Sequence, residues 1–169
     1  MSKISCTMCI VFLLCGVAHA QEPSAPNPRG QISLRFETFS YHVSNDEYPN
    51  QTYWDVKGER RKFNQVNPGV GFEVRLHKYF HAVTGAYRNS IYKASVYALV
   101  GMETDGGKPI GMGIEGGVVT GYEKVYPAGL AYVRLGHRDG RVNARIAVIP
   151  PISGITPPVI LAEFRVRVK

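Results

Sequence analysis

The chain has 169 residues, enough for one domain, and 20 basic side chains against 13 acidic ones give it a formal charge of +7. The basic residues are spread out, with Glu59-Arg60-Arg61-Lys62 as the one local run, so the charge leaves no nucleic-acid footprint. It fits the solvation of a polar interior, or a basic loop facing anionic lipid head groups.

Residues 1–20 have the pattern of a secretory signal. Lys3 supplies the charged start, Ile10 to Leu14 the apolar stretch, and Ala18-His19-Ala20 a small-x-small cleavage site before Gln21. The apolar stretch is too short for a membrane-spanning helix, which needs about 20 residues. Leu14 is too large to precede a lipid-modified Cys15. Cys6, Cys9 and Cys15 all lie within this segment. The expected mature chain therefore has no disulfide, no thiol nucleophile and no cysteine zinc site. An exported chain without disulfides is held by core packing or by lipid. Residues 21–30, rich in Pro, Ser and Asn, read as a flexible lead-in.

From residue 31 to 169 the recurring pattern is alternation with period two, the mark of a strand. Residues 69–77 place Val70, Phe72, Val74 and Leu76 on one face and Gly71, Glu73, Arg75 and His77 on the other. Residues 109–121 alternate Ile110, Met112, Ile114 and Val118 with glycines and Glu115. In 141–149, Val142, Ala144, Ile146 and Val148 oppose Asn143 and Arg145. In 158–169, Ile160, Ala162, Phe164, Val166 and Val168 oppose Val159, Leu161, Glu163, Arg165 and Arg167. With the less regular stretches this predicts eight strands, at 31–43, 67–77, 80–91, 94–103, 109–121, 128–137, 140–149 and 158–168. Turn residues separate most of them, such as Asp105-Gly106-Gly107 and Arg138-Asp139-Gly140. One connection, 44–65, is long, polar and aromatic.

Strands of this number and length close into an all-β, antiparallel, up-and-down barrel. Alternation alone leaves open which face is outside. The polar faces carry both signs of charge, Glu73, Arg75, Glu115, Arg145, Glu163 and Arg165. They suit either a narrow polar interior or a solvated exterior. Export without disulfides favours the outer-membrane arrangement, apolar face to lipid. The terminal Phe164-Arg165-Val166-Arg167-Val168-Lys169 lacks the aromatic last residue common in such barrels.

No Gly-rich strand-to-helix turn suggests a nucleotide site, and His42, His77, His81 and His137 lack metal-ligand spacing. No cofactor or metal is expected. The chemically suggestive set lies at strand ends. His42 closes the first strand, and Asn89-Ser90 close the third. In an up-and-down barrel these ends share a rim, where a histidine base and a serine nucleophile can meet. Polar residues also mark strand ends for purely structural reasons.

The order of motifs carries a resemblance. Phe39-Ser40-Tyr41-His42 precedes the long loop. Then come Phe63-Asn64, Gly69-Val70-Gly71-Phe72, Tyr87-Arg88-Asn89-Ser90, Gly116-Gly117-Val118-Val119-Thr120 and Val148-Ile149-Pro150. In this order the chain resembles the lipid A palmitoyltransferase family, the PagP-type outer-membrane acyltransferases, over most of residues 31–169. The resemblance implies a monomeric outer-membrane enzyme that moves a fatty acyl chain from phospholipid to lipid A, the chain inserting into the barrel. It also implies His42 and Ser90 as catalytic residues. Asn89 stands where the family has an aspartate. An asparagine can orient a histidine but cannot stabilise its protonated form by charge. Two alternatives follow: a non-catalytic barrel on the same scaffold, structural or adaptor, and a soluble periplasmic lipocalin-like binder with apolar faces inward.

Overall fold

A computed structural model describes residues 30–104, 108–152 and 156–168. The expected signal, and all of the lead-in but Gly30, lie outside the described residues. The long strands are β1 (Ile32–His42), β4 (Val66–Arg75), β5 (Phe80–Arg88), β6 (Ala94–Glu103), β7 (Ile110–Val119), β8 (Tyr126–Leu135), β9 (Val142–Ile149) and β10 (Val159–Arg167). They form a closed eight-stranded barrel in which β1 pairs with both β4 and β10, every pairing antiparallel. Each strand falls within three residues of its expected bounds. The largest overrun is at the end of β5, where Asn89 turns the chain.

Two short strands, β2 (Thr52–Trp54) and β3 (Arg60–Lys62), were not predicted. They form a separate hairpin inside the long 43–65 connection. Its three-residue strands are too short to display alternation.

The orientation left open by alternation is decided by burial. Val70, Phe72, Val96, Val100, Ile110, Met112, Ile114, Ile146, Val148 and Ile160 stand on the outer wall and are exposed. Arg35, Glu73, Arg75, His81, Glu103, Glu115, Arg134, Arg145, Glu163 and Arg165 are buried in the lumen, none more than 6% exposed. This is the inverse of a water-soluble barrel, and the arrangement found where the solvent is hydrocarbon. The inward-apolar arrangement expected of a lipocalin-like binder is not the one adopted.

In the middle of the lumen the charges pair around Arg35 and Glu115. The Arg35 guanidinium donates to Glu73 at 2.7 and 2.8 Å and to Glu115 at 2.5 and 2.9 Å. Arg145 donates to Glu115 at 2.7 Å, His81 Nε2 lies 2.8 Å from the same carboxylate, and Arg165 donates to Glu73 at 2.8 Å. Arg145 also lies 3.5 Å from the Tyr132 ring centre. Glycine makes room for this filling. A Cβ at Gly101 would collide with the side chains of Glu115 and His81, and one at Gly113 with the Tyr132 ring.

Candidate functional site

Because neighbouring strands are antiparallel, the ends of β1, β5, β7 and β9 lie at one rim. That rim carries the connections 43–65, 89–93, 120–125 and 150–158. The opposite rim carries the short connections 76–79, 104–109 and 136–141 and both outer ends of the barrel chain. His42, Asn89 and Ser90 are all at the loop-bearing rim, as expected from strand parity.

His42 reaches the lumen through a β-bulge. The register of β1 against both neighbours shifts between Glu37 and Phe39. Before the bulge, inward positions are odd, Ser33, Arg35 and Glu37; after it they are even, Ser40 and His42. One extra residue exchanges the faces of everything beyond it. Without it, His42 would face outward. Its ring is 2% exposed and stacks on Phe63, centroids 4.1 Å apart and planes 10° apart. Nδ1 is buried with no hydrogen-bond partner.

Asn89 is the structural centre of its turn. Its amide donates to Ser95 Oγ at 3.0 Å and to the Gly121 carbonyl at 2.9 Å. Its Oδ1 accepts from the backbone of Ile91 at 3.0 Å and Lys93 at 2.9 Å. These use the donors and lone pairs an amide has, so Asn89 is committed to holding the β5–β6 turn. That turn includes Tyr92 at φ +64°. Ser90 is half-buried beside it. The link between His42 and Ser90 runs through Phe63-Asn64. Phe63 stacks on His42, and the Asn64 backbone donates to the Ser90 carbonyl at 2.7 Å.

The hairpin β2–β3 is built over this point. Its inner face, Tyr53 with the adjoining Phe63, stacks at 5.2 Å, and Tyr48 packs on Phe63 at 5.9 Å. Its outer face exposes Trp54, with the Arg60 guanidinium 4.9 Å from the ring centre, and Lys62. The hairpin turn is closed by Asp55, which accepts from the backbones of Lys57 and Glu59 and from Arg61. Those donors, the Glu59 N–H foremost, hold the Asp55 carboxyl below the usual carboxylate range. Beside the hairpin is a cavity of about 650 Å³ lined by Ser44, Asn50, Gln51, Lys62, Phe63 and Gln65.

Cation–aromatic pairs recur around the rim. Besides Arg60 on Trp54, Arg88 lies 5.3 Å from the Tyr92 ring and Lys124 5.5 Å from the Tyr126 ring. Each belongs to a different connection.

Below the rim the lumen changes character. Val119, Ala128, Leu130, Ile149 and Leu161 point inward, in register with inward-facing partners, yet all stay half-exposed. The resemblance, with an acyl chain inserting into the barrel, implies an apolar upper lumen, but the sequence did not say which residues line it. One signal of such a lining is that 159–162, Val-Ile-Leu-Ala, is apolar on both faces. Gly71 and Gly85 close this region from below, where a Cβ on either would strike the Tyr97 phenol. That phenol donates to Glu37. Towards the same rim the wall is paired on one side only. β8 pairs with β7 over Tyr126–Leu135, but with β9 only over Ala131–Leu135.

No family model matches the chain, and no curated protein matches it.

Proposed function

We propose that this chain is an outer-membrane barrel that accepts a fatty acyl chain in the loop-side half of its lumen. It would transfer that chain at the rim where His42 and Ser90 sit. The observation that carries the reading is the half-exposed apolar lining of Val119, Leu130, Ile149 and Leu161, directly below the rim of a barrel whose outer wall is apolar. An extended acyl chain matches such a lining in polarity. Each buried methylene contributes about 0.8 kcal/mol. The cation–aromatic pairs suit a rim lying among phosphate-bearing head groups.

In this reading His42 takes the Ser90 hydroxyl proton as Ser90 Oγ attacks the phospholipid ester carbonyl. The lysophospholipid leaves with that proton, and a lipid A hydroxyl then takes the acyl group from Ser90, its own proton passing through His42 back to Ser90 Oγ. Lipid A from cells with and without the gene, compared by mass spectrometry, tests it. An added acyl chain that disappears with Ser90→Ala and His42→Ala is expected. An unchanged pattern with the barrel folded in the membrane overturns it.

A second reading, a non-catalytic barrel that holds a lipid chain, is favoured by Asn89, whose hydrogen bonds are committed to its turn. It predicts that Ser90→Ala leaves chain binding and every phenotype intact.

A further inference from the structure

The opposite end of the lumen holds an excess of buried positive charge. Arg138, on the β8–β9 turn, tucks into the barrel mouth and is 3% exposed. Its backbone carbonyl accepts from Arg165 at 2.7 Å and from Arg75 at 3.5 Å. Its Nη1 donates to the Lys78 carbonyl. Arg134, fully buried, donates through Nε to Glu103 at 2.6 Å. Four guanidinium groups thus gather around one turn. The carboxylates among them are Glu103, Asp139 (bound to Arg75) and Glu73, which is shared with Arg35.

The donors left over point to a ligand. Both Nε and Nη2 of Arg138 are buried without a hydrogen bond; the nearest carboxylate oxygen, Glu103 Oε1, is 3.4 Å from Nε. Nη2 of Arg134 is also unpartnered. Nε and Nη2 form the side edge of the guanidinium, the two parallel donors that match two oxygens of one oxyanion. Burial, with Arg75 and Arg165 close by, holds the Arg138 guanidinium below its ordinary range. Buried donors are almost always satisfied, and these three are not.

From the free edge of Arg138 and the surrounding arginines we infer a site for a small tetrahedral oxyanion, of the phosphate or sulfate class, at the turn-side end of the lumen. The site is independent of acyl transfer at the other rim. The anion would bridge Arg138 and Arg134, fixing the β8–β9 turn as a plug.

The test uses the full-length barrel in detergent micelles at constant ionic strength, with inorganic phosphate or chloride as the anion. Phosphate is expected to raise the unfolding midpoint saturably and to give saturable binding heat in calorimetry, with chloride far weaker. In Arg138→Gln the phosphate affinity should fall at least tenfold. In Arg61→Gln, on the exposed hairpin, it should be unchanged. Arg138→Lys keeps the charge but loses the two-donor edge. It should fold and bind several-fold more weakly, which covers failure of the glutamine variant to fold. Equal effects of chloride and phosphate, absence of saturable heat, or undiminished binding in Arg138→Lys each overturn the site.

Discussion

The two halves of the lumen are built on the same strands with the same alternation, yet they differ in kind. Along β5 the inward positions run His81, Val83, Gly85, Tyr87 from turn side to loop side. Along β10, read in the same direction, they run Arg165, Glu163, Leu161, Val159. The charged half is closed: Arg35, Arg134, Arg145 and His81 are each at most 1% exposed. In the apolar half Val83 and Val159 are buried too, but Val119, Leu130, Ile149 and Leu161 stay half-exposed. A buried ion network contributes little net stability compared with good apolar packing, but it tolerates few alternatives because each unpaired charge is costly. The closed half therefore acts as a rigid plug and the open half as the part that can take a guest.

The largest expected effect is on the plug. Glu115 receives Arg35, Arg145 and His81. Glu115→Gln leaves two guanidinium groups short of a counter-charge and should cost about 3–5 kcal/mol. Leu161→Ala in the open half should cost about 1 kcal/mol, near the average for a point mutation. Urea unfolding in lipid vesicles, followed by the far-ultraviolet circular dichroism of the sheet, measures both. Equal costs would mean the halves are not energetically distinct. Next in size is Leu161→Trp, which fills part of the open half. Displacing about three methylenes of a guest at about 0.8 kcal/mol each weakens the longest bound chain roughly fiftyfold. A chain-length series of saturated fatty acids, read by competition, should show the optimum shifting to shorter chains. An unmoved optimum would place the guest elsewhere.

Much of the scaffold was readable in advance. Alternation gave the eight strands, and parity put His42 and Ser90 at one rim. Alternation alone did not say which face is outside, because Glu73, Arg75, Arg145 and Glu163 would sit as well in water as in a lumen; export without disulfides favoured the apolar face, and the burial bears that out. The bulge was not readable, since nothing in Glu37-Thr38-Phe39 marks an extra residue; its effect appears only in the pairing with β4 and β10. The hairpin escaped because Arg60-Arg61-Lys62 is exposed on every side and its order comes from an Asp55 turn rather than a pattern. Asn89 as a candidate orienting residue came from the resemblance, at the position where the family has an aspartate. The structure shows what the backbone asks of it.

The boundary between the halves is marked by Tyr97, whose phenol donates to Glu37 above Gly71 and Gly85. Tyr97→Phe removes that donor while Glu37 Oε2 already lacks one. Leaving a buried carboxylate short of a partner should cost about 1–2 kcal/mol, less than breaking the plug. The change should also loosen the floor of the open half. A stability loss without any change in bound-chain length would assign Tyr97 to the plug alone.

The smallest effect is expected outside the barrel, on the hairpin over the rim. Asp55 has a depressed carboxyl, so the stability it gives the hairpin is complete above the unfolded aspartate value of about 4 and is lost as pH falls through the lower folded value. Trp54, with Arg60 against its ring, reports on the hairpin directly. Its fluorescence should hold steady from neutral pH down to about 4 and change below that, while the barrel stays folded. Asp55→Asn keeps an acceptor for the Lys57 and Glu59 N–H groups but loses the charge that holds Arg61. It should show part of the acid-state signal at neutral pH and little further change on acidification. A full transition retained in Asp55→Asn would place the titrating group elsewhere, with the neighbouring Glu59, which also accepts from Arg61, the first to be replaced.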